Sequence, residues 1–289
     1  MNAGRYSMLL MIAFGALWAL LEAVATHLTR SYSPFQVVWT RYAAHLAFML
    51  AVWGWRQPVS LLRTRRPLLQ LARSALMIVM PASFVFGVMR GLSADTLMAV
   101  FWVTPLLILA LSAMVLREAA PPALWLAAAA ATAGAVLVLG PRPPPASLSW
   151  LVWPLTMAGS FSLYVAMTRL LRSETTRANL FYTALGVFVV LSPVMLFVWI
   201  TPSRHDLAVM VAIGLIGWVS LYCLDRMAAA APVTESAPLA PTQVAVVAGV
   251  GLLAGHFHPR PEVWAGLVLL AGAALVAWWR APVMRAQPV

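Results

Sequence analysis

Apolar runs of about twenty residues recur along the chain, separated by short polar links. An α-helix rises about 1.5 Å per residue, so each run is long enough to cross a hydrocarbon core of roughly 30 Å. The pattern predicts ten membrane helices. Five cover about 7–27, 34–53, 68–89, 95–116 and 123–139, and five cover about 150–170, 178–200, 207–230, 234–255 and 262–279. Between them lies "GPRPPPAS", Gly140 to Ser147, whose three consecutive prolines cannot continue a helix and make a stiff spacer. The expected organisation is therefore a first half over residues 1–140, a linker over 141–148 and a second half over 149–289. The first helix has a competing reading as a signal peptide, since Arg5, an apolar stretch and Ala23-Val24-Ala25 follow that plan. Glu22 sits awkwardly before such a cleavage site, and the second half needs helix 1 as the counterpart of helix 6.

The two halves echo each other. A shift of 136 residues lays Arg226 on Arg90, Pro241 on Pro105 and Leu252 on Leu116. After a three-residue insertion Trp264 lies on Trp125, and Gly272 falls near Gly134. Five helices per half is an odd number, so the halves must sit in opposite orientations, the plan of many secondary transporters.

Composition agrees with this class. The chain is 63% hydrophobic and 9% charged, too few charges to cover a soluble domain. Its net charge of +11 is all arginine. With the N-terminus inside, the inner segments hold Arg5, Arg56, Arg63, Arg65, Arg66, Arg117, Arg169, Arg172, Arg177, Arg226, Arg280 and Arg285. The outer links hold only Arg30, Arg90, Arg142, Arg204 and Arg260. That bias places both termini in the cytoplasm and the chain in a bacterial inner membrane. No basic helix interleaved with aromatic residues offers a nucleic-acid surface. Cys223 has no possible internal disulfide partner and reads as packing.

Candidate chemistry is sparse. Glu22 and Arg41 are the deepest charges of the first two helices, and each lies nine or ten residues from a turn near residue 31, at similar depth. They form a structural ion pair, or Glu22 is a proton or substrate site, or they do neither, and all three readings stand. Pro81, Pro105, Pro154, Pro193, Pro238 and Pro241 interrupt helices, and Pro105 and Pro241 match in the repeat as candidate hinges. Helix 9 is the least apolar and carries Glu235, Ser236, Thr242 and Gln243, so one side of it should face a cavity; "TES" after Pro232 resembles a helix cap. Trp18 shares a face with Glu22, Met80 with Phe84, and Trp218 with Tyr222. With Trp102, Tyr164 and Gln243 these make an expected substrate surface, while plain packing or interfacial anchoring is the alternative for any one aromatic. His256 and His258 form a weak metal pair, so neither a metal nor a cofactor is expected. The alanine-glycine runs of helices 5 and 10 predict close packing, within each half or across a dimer. Nucleotide-binding loops and nucleophile elbows are missing from the sequence, so ATP-driven transport is not expected. An intramembrane enzyme would need a paired acid and base or metal ligands at one depth, which only Glu22 with Arg41 approaches, so no enzymatic activity is expected.

Trp18, Pro34 with Arg41, Pro105, the "LRE" of Leu116 to Glu118 followed by Trp125 and Gly134, and Pro241 together resemble the EamA-type members of the drug/metabolite transporter superfamily. The second half has Ala-Gly-His where the turn of the first has Leu-Arg-Glu. The resemblance implies ten helices, alternating access and a small organic substrate, with the layout similar to YddG-type amino acid exporters. The stretch "RTRRPLLQLARSALM" is equally similar to members that carry riboflavin or S-adenosylmethionine, and "LLEAVATHL" resembles helix 1 of small multidrug exporters driven by protons. Export of amino acids is the leading expectation, with cofactor import or drug/proton antiport as alternatives. The expected partners are the bilayer, a small-molecule substrate and either no second chain or one identical copy.

Overall fold

The computed structural model describes residues 2–55, 58–141, 147–254 and 259–280. Pro143 to Pro145, Arg56, Arg285, His256 and His258 lie outside the described residues. The long elements are α1 (Ala3–Leu28), α2 (Pro34–Met49), α4 (Pro67–Met89), α7 (Pro122–Leu139), α8 (Val152–Leu170), α9 (Thr176–Val198), α10 (Arg204–Ala230) and α13 (Pro261–Arg280). Shorter ones are α3 (Pro58–Leu62), α5 (Ala94–Phe101), α6 (Thr104–Leu111), α11 (Val233–Ser236) and α12 (Thr242–Leu253).

Among the described residues, nine helical spans are long and apolar enough to cross a membrane. The pattern predicts ten. The remaining one is α2, which has only 16 regular residues before it widens into a π-helical turn over Leu50–Gly54. Local chemistry sets the boundaries. Asn2, Ser93, Thr175 and Ser203 accept backbone N–H groups at the starts of α1, α5, α9 and α10. Pro34, Pro67 and Pro122 occupy first turns, where a missing N–H costs nothing. Gly140 closes α7 with φ 55°, a left-handed conformation suited to glycine. The basic link also holds a helix that the apolar pattern does not predict, α3, which Tyr182 fastens by donating to the Leu62 carbonyl at 3.0 Å.

Two expected continuous helices are broken. Helix 4 divides into α5 and α6, then widens into a π-helical turn at Ser112–Leu116. Pro105 has no N–H for the Phe101 carbonyl, and the Thr104 hydroxyl donates there instead. Thr132 of α7 donates to the neighbouring Trp102 carbonyl at 2.8 Å. Helix 9 divides into α11, a 3-10 turn at Ala237–Leu239 and α12, where Thr242 donates to the Leu239 carbonyl at 2.6 Å. Pro81 and Pro193, by contrast, stay inside α4 and α9.

The packing has an exchange pattern. α1 packs on α10, and α4 on α8; α4 packs on α9, and α10 on α2; α6 packs on α8, and α1 on α12. α2 packs on α9 and α7 on α13. Replacing each expected helix by the one five places on turns every contact here into another of the set or into itself. The alanine-glycine helices meet inside the chain: a Cβ on Gly134 would stand 2.7 Å from the Gly266 carbonyl oxygen, and one on Gly266 2.6 Å from that of Gly134. A Cβ on Gly272, the sequence counterpart of Gly134, would meet nothing within 4 Å among the described residues. Leu126, Leu196, Phe197 and Leu253 are highly exposed on the outside, an apolar surface that suits lipid.

Candidate functional site

The centre of the bundle is a row of rings. Trp18 lies 5.4 Å from Phe14, Phe14 stacks on Phe161 at 6.0 Å, Phe161 meets Phe101 at 5.8 Å, and Phe101 meets Trp102 at 4.8 Å. Expected residues Trp18 and Trp102 are thus joined through α1, α8 and α5. Arg41 of α2 sits between Trp18 and Tyr42, with its guanidinium 5.2 and 5.0 Å from the two ring centroids. Gly214 of α10 makes room for that stretch of α2: a Cβ there would come within 2.8 Å of the Arg41 carbonyl oxygen. Glu22 reaches Arg41 at 3.9 Å, but its side chain is 45% exposed against 8% for Arg41. The pair is close without being a tight hydrogen-bonded bridge.

Among the described residues, Tyr42 Oη, His45 Nε2 and Trp102 Nε1, on or beside this row, are buried without a protein hydrogen-bond partner, as is Trp218 Nε1 next to Trp53. Buried polar groups are normally paired, so these atoms beside aromatic walls are free to hydrogen-bond something the protein does not itself supply. Tyr42 and His45 stack at 6.0 Å on the Arg41 side of the row. Neither stands out in the sequence, although Arg41 and His45 are four residues apart and share a helical face.

On the side of the bundle that carries the N-terminus, a second polar group spans four helices. Arg73 of α4 is fully buried and 5.1 Å from the Tyr164 ring of α8. It donates to Thr168 Oγ1 at 3.2 Å, to Gln70 Oε1 at 3.1 Å and to the Asn179 carbonyl of α9. The Gln70 amide donates to Asn179 Oδ1 at 2.6 Å, and the Asn179 amide donates to Asp225 Oδ1 of α10 at 2.7 Å. Asp225 is buried too. Close by, Arg169 Nε donates to Glu118 Oε1 at 2.6 Å, and its terminal nitrogen donates to the Ala228 carbonyl at 2.8 Å. The other Glu118 oxygen accepts the Val233 N–H at 3.1 Å. The start of α11 is therefore capped by a carboxylate from the "LRE" turn, and the N-cap position itself is Pro232, just before "TES". On the opposite side, Tyr32 donates to Asp206 at 2.7 Å, which holds the phenol above its ordinary titration range.

Other expected site residues lie at different distances from the ring row. Met80 and Phe84 are half-buried against the main core. Tyr164 is buried in that core and bridges to the Arg73 group. Gln243 opens α12, where its backbone N would lie 3.2 Å from a Cβ on Gly15 of α1. Tyr222 is exposed and lines a separate cavity near Trp53, away from the row. Pro105 and Pro241 are buried at the two helix breaks.

Apolar helices with broken spans around a buried aromatic and charged centre define a multi-pass membrane transporter, of the kind found in the bacterial inner membrane. Residues 5–140 match the EamA-like transporter family. The chain is 24% identical over 214 residues to the S-adenosylmethionine uptake transporter of Rickettsia prowazekii, covering 74% of this chain and 72% of that one. Its counterpart in Rickettsia bellii is 23% identical over 214 residues, 74% of this chain and 73% of that one. A crystal structure of a protein with 21% sequence identity superposes with a TM-score of 0.82 over 96% of this chain and 98% of the other, and so shares the fold.

Proposed function

We propose that the protein is a secondary transporter that takes up S-adenosylmethionine, or a solute with the same amino-acid end and flat ring, by alternating access. The similarity to S-adenosylmethionine uptake transporters across three quarters of the chain carries the choice of solute and direction. The chemistry of the centre fits it. Arg41 faces a carboxylate, Glu22 an ammonium or sulfonium cation, and the row of Trp18, Phe14, Phe161 and Trp102 offers faces for a purine. Tyr42, His45 and Trp102 supply hydrogen bonds to the solute's polar edge. Met80, Phe84, Tyr164 and Gln243 complete the wall as the centre closes. Export of amino acids is the second reading, because the Glu22–Arg41 pair recognises only the head group that both solutes share.

The exchange pattern of helix contacts supports two inverted halves, 1–140 and 149–289, joined by the linker at 141–148, with ten crossings and both termini in the cytoplasm. Rocking of one half on the other bends the broken helices at Pro105 and Pro241. Access from the N-terminal side requires the Arg73 group to separate, since its members sit on α4, α8, α9 and α10.

Counterflow in proteoliposomes tests the solute without a driving gradient. Liposomes loaded with unlabelled S-adenosylmethionine should accumulate the labelled compound, and loading with neutral amino acids should give little. Exchange of amino acids alone would replace the first reading with the second. Silence for both, from protein that melts cooperatively, would sink the proposed solute class.

A further inference from the structure

A cavity of about 380 Å³ opens on the N-terminal side, walled by Trp53 of the π-helical turn, Ser60 of α3, Thr175 to Arg177 at the start of α9, and Tyr222 and Arg226 of α10. It holds two guanidinium groups. The Arg177 group lies 5.1 Å from the Trp53 ring centroid, and among the described residues neither Arg177 nor Arg226 has a carboxylate within ion-pair distance. Nearby acids are engaged elsewhere: Glu174 accepts the Arg65 N–H at 3.2 Å, and Asp225 accepts from Asn179 inside the bundle. The first turn of α9 adds to the positive field. Thr175 Oγ1 already accepts the Ala178 N–H at 3.2 Å, while among the described residues the Thr176 and Arg177 N–H groups find no protein acceptor. Two arginines without a carboxylate partner among the described residues, the Thr175 and Thr176 hydroxyls and helix-start N–H groups are the donor set of a phosphate site. Trp53 and Tyr222 add the amphipathic rings typical of a membrane–water boundary.

We infer that this cavity binds a phosphate ester, with the phosphate held by Arg177, Arg226 and the α9 start and the glycerol or acyl part against Trp53 and Tyr222. An anionic phospholipid and a soluble glycerophosphate present the same chemistry. The inference is independent of the transported solute. Because α9 and α10 also carry Asn179 and Asp225, occupancy ties the surface of the bundle to the buried Arg73 group.

The full chain in phosphatidylcholine nanodiscs, read by native mass spectrometry, tests it with phosphatidylglycerol as the lipid probe and sn-glycerol phosphate as the soluble one. The double variant Arg177→Gln with Arg226→Gln should retain phosphatidylglycerol about tenfold less than the native chain, since each interfacial arginine contributes on the order of tenfold or less. Arg172→Gln, on the same end but outside the cavity, should behave as native, and the double lysine variant should recover part of the loss. Displacement of the lipid by sn-glycerol phosphate, with the same variant dependence, would assign the site to soluble phosphate esters. Equal retention by the native chain and the double glutamine variant, or equal loss in Arg172→Gln, would overturn the inference. Both surface arginines are exposed, so the variants should fold, and an unchanged melting temperature verifies that.

Discussion

Arg41 and Arg73 are both buried arginines in membrane helices, and they are held in different ways. Arg73 spends its guanidinium on Thr168, Gln70 and the Asn179 carbonyl, and Asn179 passes the network on to Asp225. Arg41 leans on two aromatic rings and on a carboxylate 3.9 Å away. Removing a donor shared by several buried acceptors leaves those groups unsatisfied, whereas a stacked arginine can turn toward a new partner at little cost. The first arrangement suits a lock between helices, and the second suits recognition of something that arrives.

The contrast can be broken at several points. Arg73→Met should have the largest effect, costing about 3 kcal/mol because Gln70, Asn179 and Thr168 lose their shared donor. A melting temperature close to native would show that the network holds nothing together. Next comes the pair of Arg169 and Glu118. A double-mutant cycle with Arg169→Met and Glu118→Gln should give a coupling of about 2 kcal/mol, since both side chains are nearly buried and the carboxylate also caps α11. Additive losses would mean that the two act separately. Gly134→Val should cost about 1–3 kcal/mol by forcing α7 from α13, while Gly272→Val should be nearly neutral. Similar losses at the two positions would contradict the observed packing. Smallest for stability is Glu22→Gln, at less than about 1 kcal/mol, because the carboxylate is half-exposed and loosely paired. Its effect should fall on transport, and full retention of pH-driven transport would remove Glu22 as a proton carrier.

Much of this architecture is legible in the chain. Apolar runs separated by arginine-bearing links set the spans, and prolines mark the two breaks, because hydrocarbon leaves a backbone few options. The Glu22–Arg41 approach follows from equal distances to one turn. What escapes is set by contacts between distant helices. Arg73 reads as one more basic residue near a helix start, and Asn179 and Asp225 as end residues, until folding packs α4, α9 and α10 together. Tyr42 and His45 look like ordinary helix residues, since only the tertiary structure leaves their polar atoms buried and, among the described residues, without a partner. Tyr222 and Trp218 share a face of α10, yet that face runs from the core to an exposed cavity at its end. Glycine spacing shows the same limit: the repeat pairs Gly134 with Gly272, whereas the backbone contact is with Gly266.

The central claim is that the ring row beside Arg41 is where the solute binds. Equilibrium binding of labelled S-adenosylmethionine to purified native protein and to Trp18→Ala tests it most directly. The expected result is saturable binding that weakens at least about tenfold in the variant, with the melting temperature held, as befits loss of a stacking and cation-supporting ring. Saturable binding of equal strength in both proteins would contradict the claim and move the solute elsewhere in the bundle.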